Sequence, residues 1–84
     1  MINKKRLIKL TQKLIQIDSQ NPPGDESKIA HFIKGYLAKI GVRAKLYEFK
    51  KRRSNVVGIV EGRSQKKSLL ITPHLDTVPQ GKNW

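Results

Sequence analysis

With 84 residues and no cysteine, the chain is long enough for one small domain and cannot form a disulfide framework or a thiolate metal site. Its 18 Lys and Arg against 6 Asp and Glu leave a net charge of +12, which raises a nucleic-acid hypothesis before any other. Against specific recognition, the basic residues are scattered over several elements, and the Lys50-Lys51-Arg52-Arg53 run has no aromatic residues between its cations and fits no helix-turn-helix, zinc-finger or RNP pattern. Membrane insertion is not expected either. The basic start MINKKRLIKL is interrupted by Lys9, Thr11, Gln12 and Lys13 before an export signal could form, and no apolar stretch approaches spanning length. A cytoplasmic location fits this pattern best.

Taken in order, Leu7, Leu10, Leu14 and Ile17, joined by Ile8 and Ile15, repeat every three or four residues and predict a helix near residues 3–18. Its stripe is expected to pack against a sheet. Asp18 to Gly24 reads as a loop with no catalytic duty, because Asn21-Pro22-Pro23-Gly24 cannot continue a helix. A second helix is predicted over 25–40, capped by Asp25, with Ile29, Phe32, Ile33, Tyr36, Leu37 and Ile40 as its core stripe and Gly41 as its stop. His31 falls off that stripe and reads as a solvent-exposed histidine.

From Val42 the period changes to two. Val42, Ala44 and Leu46 alternate with Arg43, Lys45 and Tyr47, predicting a strand over 42–49, and residues 55–61 predict a second strand. The connection between them is too short for a crossover, so the pair is expected to be antiparallel. Leu69-Leu70-Ile71-Thr72 is short, apolar and ended by Pro73, which predicts a third and more central strand over 68–72. The fold class is therefore α/β, two helices followed by three strands. With few elements to cover it, such a sheet has an open edge and an exposed apolar face, so marginal stability is expected.

Chemistry concentrates after that last run. His74 and Asp76 stand at i and i+2, which in extended chain points both side chains to one side. A neutral imidazole is a good zinc ligand, and a nearby carboxylate can fix its tautomer and direction. By spacing alone, however, an H-x-D pair is more often a surface histidine beside a turn-forming aspartate.

The wider segment Leu69-Leu70-Ile71-Thr72-Pro73-His74-Leu75-Asp76-Thr77-Val78-Pro79, continuing to Gly81 and Trp84, closely resembles the first metal-binding segment of the M20 family of zinc metallopeptidases and deacylases, which includes acetylornithine deacetylase and succinyl-diaminopimelate desuccinylase. Leu14 to Glu26 similarly resembles that family's opening helix and loop. One departure stands inside the motif, because Pro73 occupies a position where the family usually has Gly and so restricts φ before the histidine.

The resemblance implies an N-terminal fragment, residues 1–84, of a zinc-peptidase-like catalytic domain, with no lid or dimerisation domain. It implies Zn2+ as cofactor, His74 as one metal ligand and Asp76 as the catalytic-site carboxylate that orients the imidazole. The activity implied for a full-length protein is hydrolysis of amide bonds in peptides or N-acyl amino acids. The family's bridging Asp, its Glu pair, a further carboxylate and a last His are not in this sequence, so the 84 residues alone are expected to be inactive. Two alternatives remain: a non-catalytic basic module that binds nucleic acid nonspecifically, and a half-enzyme completed by a separate chain.

Overall fold

A computed structural model describes residues 2–64 and 66–79. The elements run α1 (Lys4–Gln16), α2 (Ser27–Lys39), β1 (Arg43–Lys50) and β2 (Arg53–Ile59), a mixed α/β arrangement with one two-stranded antiparallel sheet. Helix α1 starts where the Asn3 side chain accepts a hydrogen bond from the Arg6 amide at 3.1 Å. Helix α2 stops where the sequence placed Gly41. There the Gly41 amide donates to the Ala38 carbonyl at 3.1 Å and the Val42 amide to the Leu37 carbonyl at 2.8 Å, while Gly41 takes φ 81°. This is the Schellman closure, which needs a left-handed residue that glycine supplies without a Cβ clash.

The start of α2 differs from the expected cap. Glu26, not Asp25, occupies the capping position and makes no side-chain cap bond, and Asp25 Oδ1 is buried without a partner among the described residues. The Ser27 amide is instead satisfied by the Arg52 carbonyl at 3.2 Å, so the helix entrance is tied to the hairpin turn.

In the hairpin, Leu46 faces Val56 and Ala44 faces Gly58 across the ladder, with an irregularity between Glu48 and Lys50. The turn is tighter than the sequence suggests: β2 begins at Arg53 and ends at Ile59, with Arg52 at φ 64° in the left-handed region. Ala44, Leu46 and Val56 are half-buried, and α2 packs on both strands. The fully sequestered apolar centre is small and sits on α2, at Ile29 and Ala30.

Two expectations about layering are corrected. Helix α1 does not pack on the sheet and buries no residue; Leu10, Leu14 and Ile17 are half-buried while Leu7, Ile8 and Ile15 are exposed. Nor do residues 68–72 form a third strand. Leu69, Leu70 and Ile71 are 86, 81 and 78% exposed, and a cavity of about 590 Å³ separates this segment from Val56, Val57 and Gly58 of β2. An apolar run becomes a central strand only when both of its faces are covered, and among the described residues α2 alone covers the sheet.

Candidate metal-ligand site at the His74 loop

Residues 74–77 are held by the loop that follows α1. The Ser19 hydroxyl, on a residue only 1% exposed, donates to the Leu75 carbonyl at 2.8 Å. The Thr77 amide donates to the Ser19 carbonyl at 3.0 Å and the Asn21 amide to the Thr77 carbonyl at 2.7 Å, making a short parallel bridge between Gln20 and Thr77. Three bonds across more than fifty residues of sequence thus fix the backbone on which both candidate side chains stand.

On that backbone His74 and Asp76 meet, as the i, i+2 spacing predicts. His74 Nδ1 lies 2.8 Å from the Asp76 carbonyl oxygen and 3.2 Å from Asp76 Oδ1. Both neighbours are acceptors, so the hydrogen-bond network assigns the neutral ring's proton to Nδ1 and leaves the lone pair on Nε2. The His74 side chain is 83% exposed and that of Asp76 33%. Asn21 Nδ2 donates to Asp76 Oδ2 at 3.3 Å. This amide, aided by the neighbouring His74, holds the Asp76 carboxyl below its ordinary range, against the opposing effect of partial burial.

Sequence reading missed Ser19 and Asn21, which it left in a loop without duty. Nothing local to that loop encodes their partners, because the bonds to Leu75, Asp76 and Thr77 exist only once the chain returns. Also missed was the ion pair behind the site. Arg53 Nε donates to Glu26 Oε2 at 2.9 Å and Nη2 to Glu26 Oε1, a two-point grip that draws the Glu26 carboxyl below its ordinary range despite burial. Gly24 lies against this grip at φ 79°, and a Cβ there would come within 2.9 Å of the guanidinium carbon. Glu26, Arg53, Pro73, His74 and Asp76 line a common cavity of about 190 Å³. His31 is exposed, as expected, and bonds through Nδ1 to the Ser27 carbonyl at 2.8 Å, away from that cavity's lining.

A zinc ion suits the donor chemistry of His74, whose Nε2 has no hydrogen-bond partner among the described residues and whose other nitrogen is anchored. The donor set goes no further: no group of three or more His, Asp or Glu side chains able to hold a metal occurs among the described residues. Glu26 is engaged by Arg53, and Asp76 by Asn21 and His74. Gly81 and Trp84, the end of the segment carrying the M20 resemblance, lie outside the described residues. No helix among the described residues is long and apolar enough to cross a membrane. No family model, no curated protein and no solved structure matches the chain.

Proposed function

We propose that this sequence is the first part of the catalytic domain of an M20-like zinc metallohydrolase cleaving amide bonds of peptides or N-acyl amino acids, with His74 supplying one metal ligand through Nε2. The observation that carries the proposal is the double hold on His74 Nδ1 by the carbonyl and carboxylate of Asp76, at 2.8 and 3.2 Å. Metal-binding histidines are characteristically anchored in this way through their other nitrogen. Asp76 keeps the proton on Nδ1 and sets the ring's direction, Asn21 keeps Asp76 ionised and in place, and Ser19 holds the intervening backbone. Zinc bound in such a site polarises a carbonyl and lowers the pKa of a water.

On this reading the remaining ligands and the general base come from polypeptide outside these 84 residues, whether joined covalently or supplied as a separate chain. A catalytic zinc is held by about three protein ligands, so His74 alone binds it weakly. The test has two arms. Nitrogen-15 NMR of the 84-residue chain should show His74 as the Nδ1–H tautomer at neutral pH, and added zinc should perturb Nε2 rather than Nδ1. Hydrolysis of an N-acyl amino acid panel should be undetectable with this chain and zinc. It should appear on adding downstream polypeptide carrying the missing carboxylates, and vanish with His74→Ala. Turnover by the 84 residues alone that depended on His74 would refute the proposal.

A further inference from the structure

The aromatic residues that the basic sequence runs lack are supplied by tertiary packing, in a groove between the two helices. Helix α1 contributes Lys5, Arg6, Lys9 and Lys13 to this groove, which has a volume of about 460 Å³. Lys39 stands at its other side on α2, and no Asp or Glu lines it. None of the ion pairs among the described residues involves any of these five cations. Between them lie Leu10, Phe32 and Tyr36, all half-buried, and the two aromatics share one face of α2 because they are four residues apart.

We propose that this groove is a binding site for single-stranded nucleic acid, with phosphates along the α1 cations and bases against Phe32 and Tyr36. The pairing of a positive track with aromatic faces is the arrangement that binds single strands with little regard to sequence. Charge complementarity selects a polyanion, since five cations face the groove with no carboxylate among them. A single strand also offers bases to the half-buried Phe32 and Tyr36 that lie among these cations, which the headgroups of an anionic bilayer do not. The exposed Leu7, Ile8 and Ile15 of α1 are not part of the groove lining. This inference is independent of the proposed metal ligand, because the groove shares no lining residue with the cavity at His74.

Fluorescence anisotropy of the full 84-residue chain with a labelled oligothymidylate tests the site. About five neutralised phosphates give a log–log salt slope near −3.5, so affinity should fall on the order of 100-fold between about 50 and 200 mM salt. Lys9→Glu with Lys13→Glu should weaken binding at least about 10-fold, whereas Lys50→Glu with Lys51→Glu, the same charge change outside the groove, should cost under about 3-fold. Tyr36→Leu should lose about 10-fold by removing one stacking face, with far-UV circular dichroism confirming that the helices persist. Equal losses from the two charge pairs would overturn the proposal, leaving only net charge. Preferential binding to phosphatidylserine vesicles, abolished by Ile8→Ser with Ile15→Ser, would overturn it in favour of a lipid surface.

Discussion

Ile29→Ala is the substitution that most directly tests whether α2 is seated on the hairpin. Ile29 is 6% exposed and, with Ala30, is all of the fully sequestered apolar core among the described residues. Truncation to Ala removes three carbons, worth about 2.4 kcal/mol at ~0.8 kcal/mol per buried methylene. The cavity contribution adds little, because a core this thin and open collapses around the gap, so the loss falls at about 2.5 kcal/mol, near the low end for such truncations. A chain of this size with so small a core sits at the low end of domain stabilities, about 4 kcal/mol, so the loss raises the unfolded fraction at 25 °C from roughly 0.1% to roughly 7%. Urea titration followed at 222 nm should show the midpoint fall by about 2.5 M with an unchanged slope of about 1 kcal/mol per molar. The control is Ile15→Ala on α1, where the residue is 76% exposed and the expected loss is under ~0.5 kcal/mol. A loss below about 1 kcal/mol for Ile29→Ala, or equal losses at the two positions, would refute the assignment of the core to α2.

Glu26→Gln should destabilise the chain most at neutral pH. The Arg53 grip lowers the Glu26 carboxyl in the folded state, so its contribution is present above the ordinary carboxylate range, near pH 4.3, and fades as pH falls through the lowered folded value. Unfolding of both forms across pH 7 to 2 checks this, and a wild-type advantage that grew on acidification would contradict it. Asn21→Ala should raise the Asp76 pKa toward its ordinary value, read by carbon-13 NMR titration of the carboxyl, because the Asn21 amide is the largest influence lowering it. If the proposed function holds, Asp76→Ala in a chain supplemented with polypeptide carrying the missing carboxylates should retain some metal yet lose on the order of 10 to 100-fold in metal affinity or activity, measured by competitive chelator titration and turnover. Gly24→Ala should loosen the Glu26–Arg53 pair, since its Cβ meets the guanidinium at 2.9 Å and its φ is positive; a lower thermal midpoint would register it.

Local patterns sufficed for the two helices, the hairpin, the Gly41 stop and the approach of His74 to Asp76. Each depends on a period of 3.6 or 2, or on a residue's own backbone preference, and these operate within a few residues of chain. What surrounds an element lies beyond such patterns. Leu69 to Thr72 reads as a central strand because it is apolar, but hydrophobicity states only that a segment is better covered, not which ladder covers it. The stripe of α1 likewise announces a face without naming its partner, and in the structure that partner is not the sheet. Asp25 looks like a cap by position, yet the capping position falls at Glu26, whose carboxylate pairs with Arg53, and the Ser27 amide is bonded by the Arg52 carbonyl. The loop at Ser19 and Asn21 carries no local mark of its role. Its hydroxyl and amides find Leu75, Asp76 and Thr77 only after more than fifty residues of chain have folded back, and hydrogen bonds over that separation are decided by tertiary packing alone.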